Sequence, residues 1–317
     1  MRPSGLVLIA TLLVAGCATV RPHEVARPST TPSARQAPEP PAAGEDLSSY
    51  IQKVQALSPR ARPARVEPNT LEHSMPELAA ALSRASANPT AENRVLAGDA
   101  YRAANILDQA YGQYAEASRL DPSNATAWDG MARIWRDWGF PNLALPDASR
   151  AVYHAPGSAA AHNTLGTVLH ALGLTRDART EFERALVLDV QASYALNNLC
   201  YSWVSEGNGA RAIDTCHLAL ALAPGLAPAR NNLALAYAVE GDLEGATREF
   251  AAAGTPAARE FNLGIVYMAG RHFDAAAAAF TRAAALEPGL PMAAERARQA
   301  RQLAAGNPGT EGDDVRR

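Results

Sequence analysis

Residues 125–158 read ATAWDGMARIWRDWGFPNLALPDASRAVYHAPGS, and the 34 that follow, 159–192, read AAAHNTLGTVLHALGLTRDARTEFERALVLDVQA. Laid over each other, they hold small residues at places 8, 20 and 27 (Ala132, Ala144, Ala151; Gly166, Ala178, Ala185) and a glycine at place 15 (Gly139, Gly173). The register extends outward to 91–124, 193–226, a shortened 227–256 and 257–290. Place 20 is alanine in all six segments (Ala110, Ala144, Ala178, Ala212, Ala246, Ala276), and so is place 27 (Ala117, Ala151, Ala185, Ala219, Ala253, Ala283). Place 8 is Gly98, Ala132, Gly166, Cys200, Ala234 and Gly264, whereas place 11 is Tyr101, Trp135, Leu169, Trp203, Tyr237 and Tyr267. A fixed period of this length marks stacked supersecondary units, none of which buries its apolar face alone.

Each place has a physical reason. Small side chains at places 8, 20 and 27 let two helices approach more closely than the usual roughly 8–10 Å. Large ones at places 4, 7, 11 and 24, such as Trp128, Phe182 and Phe250, fill the space between hairpins. Asn105, Gly139, Gly173, Gly207 and Gly241 accept the left-handed conformation that ends a helix. Pro122, Pro156, Pro224 and Pro288 close the second helices. Departures carry expectations too. Val190 in place of proline predicts a longer second helix in the third repeat, and four residues missing before Pro256 predict a short one in the fifth. In the sixth repeat Gly270 sits one place early.

On these residues the chain resembles the tetratricopeptide repeat family, in which W-x2-L-G-x2-Y, A-x3-F and P mark two antiparallel helices. The resemblance covers 91–290 and implies an all-α, right-handed α-solenoid of about six helix-turn-helix repeats. Segment 69–90, through Pro76 to Ala87, is expected to cap its start, and the Arg-rich 291–304 its end, because solenoids need polar terminal caps. The tail 305–317 is expected to be disordered.

Composition agrees. Alanine supplies 70 of 317 residues and aromatics 6%, which suits closely packed helices better than a β-sandwich. The net charge of −3 argues against a nucleic-acid binder. Three cysteines are too few for a disulfide scaffold, and no Cys/His spacing fits a zinc site.

The first residues read as an export signal: Arg2, an apolar run over 6–14 too short to span a bilayer, then small residues and Cys17. Val14-Ala15-Gly16-Cys17 resembles the lipobox of bacterial lipoproteins, which implies a signal peptide over 1–17, cleavage before Cys17 and acylation there, palmitate included. Ala18 in place of Asp implies the outer membrane, facing the periplasm. Segment 18–68, with nine prolines, cannot offset its ordering entropy and is expected to be an extended tether.

Three patterns carry chemistry. His154, His162, His170, His217 and His272 fall at unrelated faces with no carboxylate or cysteine at ligand spacing, and read as packing or surface residues. No nucleophile elbow, phosphate loop or paired-carboxylate motif occurs, so no enzyme, cofactor, metal site or small-molecule substrate is expected. Cys200 and Cys216 hold places 8 and 24 of one repeat, equidistant from its turn. Antiparallel helices bring them level, as a disulfide in an oxidising compartment or as two free buried thiols. Asn163, Asn197 and Asn231 hold place 5, and Asn198, Asn232 and Asn262 place 6. Asparagine is a mediocre helix former, so its recurrence asks for a reason. Place 6 resembles the asparagine ladder of the O-linked N-acetylglucosamine transferase superhelix, where amides grip a peptide backbone. The alternative is amides that bond between repeats and pin the stacking. Tyr194 and Tyr201 add aromatic surface, and Arg102, Arg133 and Arg136 add charge at the array's start.

The sequence therefore predicts a non-enzymatic, membrane-anchored scaffold that takes a protein or peptide in its groove. The layout resembles pilotin-like lipoproteins that assist outer-membrane secretins of type IV pilus systems. The alternative is an adaptor that recruits peptidoglycan hydrolases or other envelope enzymes.

Overall fold

The computed structural model of the chain describes residues 75–290 and 292–306. The signal segment with Cys17, the tether over 18–68, residues 69–74 of the first cap, Pro291 and the tail from 307 lie outside the described residues. Within them are fourteen helices and no strand. After α1 (Pro76–Ala87), helices alternate as first and second members of hairpins. The pairs are α2 (Ala91–Ala103) with α3 (Leu107–Leu120), α4 (Ala125–Asp137) with α5 (Pro141–His154), and α6 (Ala159–Ala171) with α7 (Thr175–Leu188). They continue as α8 (Ser193–Ser205) with α9 (Gly209–Leu222), α10 (Ala227–Val239) with α11 (Leu243–Ala253), and α12 (Pro256–Ala269) with α13 (Phe273–Leu286), before α14 (Ala293–Gly306). The chain divides into two compact units at Ala192/Ser193. In the N-terminal unit α1 packs on α2, and the first helices meet one another, α2 with α4 and α4 with α6. In the C-terminal unit α8 meets α10 in the same way and α14 packs on α13. First helices thus form the inner layer of each stack.

Local chemistry sets the ends. Thr90, Asn124, Ser158 and Thr255 cap α2, α4, α6 and α12, each side-chain oxygen accepting the backbone N–H three residues on. The turns inside hairpins bend at place 15, where Asn105, Gly139, Gly173, Gly207 and Gly241 all have positive φ. In the sixth hairpin the left-handed residue is Arg271 (φ 63°), not Gly270, so the early glycine leaves a non-glycine to make the turn. Alanine at place 20 is fully buried in every hairpin, and place 27 in all but the truncated fifth. There the missing residues shorten α11 to 11 residues against 14 for the other second helices.

Two expectations need correcting. The second helix before Val190 is no longer than its counterparts, because α7 stops at Leu188 and Asp189 takes over proline's role. Its backbone leaves the helix and its carboxylate accepts the Gln191 N–H at 2.9 Å, a local turn that competes with further helix. At the other end, Ala305 and Gly306 are the last residues of α14 rather than part of a tail.

Candidate partner-binding face

The inner layer of the C-terminal unit carries five of the six asparagines. Asn232 on α10 is buried, and its Nδ2 donates to Asn197 Oδ1 on α8 at 2.9 Å and, more weakly, to the Asn197 carbonyl at 3.4 Å. Asn262 on α12 repeats the geometry one hairpin on, donating to Asn231 Oδ1 at 3.5 Å. Both rungs run from place 6 of one first helix to place 5 of the preceding one. Asn197 in turn donates to Asn198 Oδ1 at 3.3 Å. Amide pairs suit this place because each side chain offers both a donor and an acceptor. The rungs leave Asn232 with almost no surface for a partner, since its amide is turned to Asn197. Asn197, Asn198, Asn231 and Asn262 remain half-buried beside half-buried Tyr201 and exposed Tyr194. Helix α8, SYALNNLCYSWVS, holds no charged residue, so the face it contributes is amide, hydroxyl and phenol. Asn163 belongs to α6 of the N-terminal unit.

The N-terminal unit fills the same two places with different chemistry. Asp129 at place 5 of α4 is buried, is hydrogen-bonded to Thr164 at place 6 of α6, and meets Arg133 at 3.3 Å. Burial holds its carboxyl above the usual range despite the arginines nearby. Arg136 reaches Thr167 at 2.9 Å and Asp137 at 2.9 Å, so the arginines at the array's start are engaged within their own stack. Behind them Tyr114 donates to Asp99 at 2.7 Å, and burial first, then that hydrogen bond, pushes its phenol up. The Asp129–Thr164 rung escapes a search for asparagine. The signal that finds it is register: its two residues are 35 apart, as are Asn197 and Asn232.

Cys200 and Cys216 are fully buried and joined in a disulfide with Cα atoms 5.4 Å apart. They occupy the places that in other hairpins bring a ring onto a glycine: Tyr114 on Gly98, Phe182 on Gly166 and Phe280 on Gly264. A Cβ on any of those glycines would fall within 2.6 Å of the ring. Small-against-large and sulfur-against-sulfur are thus two ways of filling one crossing.

Place 4, expected only to fill space, also bonds. Arg94 reaches Gln113, His162 reaches Glu181 and Arg230 reaches Glu249, each pair 19 residues apart across its hairpin. Spacing along one helix does not reveal the histidine–carboxylate pair among these, because the partner lies on the facing helix. Among the described residues, no cluster of three His, Cys, Asp or Glu side chains is arranged to hold a metal, and no helix is long and apolar enough to cross a membrane.

Helix pairs in this register, closed over alanine and stacked through their first members, define an all-α solenoid of the tetratricopeptide-repeat type. Solved structures of that type superpose on the chain. PilW, described as a widely conserved type IV pilus biogenesis factor, does so at 20% identity and a TM-score of 0.56, over 65% of this chain and 96% of that one. A tetratricopeptide repeat protein from Parabacteroides merdae aligns at 18% identity and 0.55, over 80% and 98%. PilF from Pseudomonas aeruginosa aligns at 19% and 0.52, over 66% and 96%. These are likenesses of fold. No family model matches the chain, and no curated protein matches it.

Proposed function

We propose that the protein is a non-enzymatic scaffold of the bacterial cell envelope, lipid-anchored at Cys17 in the outer membrane and facing the periplasm. It takes a protein or peptide partner on the inner face of its C-terminal unit. The observation that carries this reading is the composition of that face. Half-buried Asn197, Asn198, Asn231 and Asn262, with Tyr194 and Tyr201, line it beside a helix without a single charge. Amides and phenols of this kind pair with peptide groups whatever the partner's side chains, whereas charged partners are read by charged pockets. The buried disulfide supports an oxidising compartment, since cytosolic thiols are kept reduced. Two or three acyl chains on Cys17 make attachment durable where one would not. The fold likeness to a type IV pilus biogenesis factor supports assistance to an outer-membrane assembly, such as a pilus secretin.

The test is co-purification from detergent-solubilised membranes with a tagged chain. Wild type is expected to enrich a secretin, and the Tyr194→Ala/Asn198→Ala/Tyr201→Ala variant to lose it while the thermal midpoint moves by no more than a few degrees. Undiminished enrichment in that variant removes this face from the function. Enrichment of peptidoglycan hydrolases without secretin would redirect the assignment.

A further inference from the structure

The residue at place 4 repeatedly donates to the carbonyl of the proline that closes the preceding repeat, six residues earlier. Trp128 Nε1 reaches the Pro122 oxygen at 2.9 Å, Arg230 Nη2 the Pro224 oxygen at 3.1 Å, and His162 Nε2 lies 3.1 Å from the Pro156 oxygen. Arg230 holds a second contact with the same side chain, Nη1 to Glu249 Oε2 at 3.3 Å. His162 matches it: Nδ1 lies 2.6 Å from Glu181 Oε2, and the side chain is 9% exposed. A guanidinium supplies both hydrogens at every pH. An imidazole supplies both only when it is protonated.

We infer that His162 is a proton-operated clasp: with the ring charged, it bridges Glu181 and the Pro156 carbonyl and holds the loop between α5 and α6. With the ring neutral, it keeps one of the two bonds. Carboxylate and carbonyl both only accept, and the shorter, charge-assisted bond is the stronger, so Nδ1 retains its hydrogen for Glu181 and the Nε2 lone pair is left facing the Pro156 carbonyl, which releases the loop. Glu181 is the charged group that meets the ring from α7, and the Pro156 carbonyl is the group that meets it from the loop. Helix α5, on the other side of that loop, ends in His154 and carries the Asp147–Arg150 pair. From α4, Asp129 and Arg136 engage α6 at Thr164 and Thr167. Histidine is the side chain whose ordinary charge change falls between about pH 5 and 8. The same place in the fifth repeat is built to ignore pH, and in the third it is built to respond. This inference does not depend on the proposed function.

Hydrogen exchange of the full-length protein, followed over 155–163 at pH 6 and pH 8 and corrected for the intrinsic rate, tests it. Wild type is expected to lose about tenfold in protection between the two, the weight of one charge-assisted hydrogen bond. His162→Arg, which installs the donor used in the fifth repeat, is expected to lose less than about twofold. An equal loss in both proteins, or none in wild type, overturns the clasp. Should His162→Arg fail to fold, Glu181→Gln serves, since a neutral amide accepts from or donates to Nδ1 and flattens the same dependence. The ring nitrogens of 15N-histidine-labelled wild type give a direct readout. Two protonated nitrogens on His162 at pH 6 are expected, and a neutral ring there overturns the proposal.

Discussion

The third and fourth repeats meet the same packing problem with different chemistry. In the third, Phe182 packs against Gly166, and a Cβ there would stand 2.5 Å from the ring and 3.1 Å from the Ala178 carbonyl. In the fourth, Cys200 and Cys216 occupy the equivalent places and share a covalent bond. The crossing demands a filled volume rather than a particular side chain. What differs is what breaks it: the ring yields only to mutation, and the disulfide also to reductant. The contrast extends to the inner layer, where the N-terminal unit joins its first helices through Asp129, Thr164, Arg136 and Thr167, and the C-terminal unit through neutral amides.

The largest effect is expected from Phe182→Ala, which empties a side chain 1% exposed and should cost about 3–5 kcal/mol, read from the denaturant midpoint. A loss under about 1 kcal/mol would mean the glycine crossing collapses around the void. Next comes the disulfide. Closing a loop between cysteines 16 apart in sequence is worth about 3 kcal/mol, so reductant should lower wild-type stability by that much. It should leave Cys200→Ala/Cys216→Ala unmoved. The same reductant acting on the double variant would place the sensitivity elsewhere.

A third effect separates the units by pH. Asp147 is buried beneath α4, and burial, opposed by Arg150 and by the Trp135 hydrogen bond, pushes its carboxyl up to about 6. The folded chain therefore binds this proton more tightly than the unfolded chain does, and this residue's contribution to stability rises as pH falls from 7 towards 4. Asp147→Asn keeps an acceptor for Trp135, should stabilise the protein at pH 7 by about 1–2 kcal/mol, and should remove that part of the pH dependence. Thermal midpoints at pH 4.5 and 7 for both proteins check the sign. The smallest effect is expected at the last hairpin turn. Arg271→Gly relieves a left-handed arginine and should gain about 0.5–1 kcal/mol, with a higher thermal midpoint as the readout.

The repeat, its turns and its fold class were legible because they depend on what recurs: alanine at two places, glycine at a third, proline at the boundary. What was not legible depends on pairing between recurrences. His162 with Glu181, or Asp129 with Thr164, joins residues 19 or 35 apart that share no motif and become neighbours only after two helices have folded. Asn232 shows the same limit within a legible pattern. Its place was evident, but not that its amide would be turned to Asn197 and shut away from a partner. Asp189 ended a helix where proline was missing, because a short carboxylate builds its own turn. Arg271 is the reverse case, a position fixed by the register against the residue's own preference.

The two amide rungs span 35 and 31 residues, yet they join the same places of successive helices. The whole difference is absorbed in the shorter α11 and the link after it. Chain length is therefore a free variable on the outer side of the array, while the inner spacing stays constant. A reporter or epitope grafted near Gly254 would leave the spacing of those amides untouched, making that bend the natural port for labelling the protein.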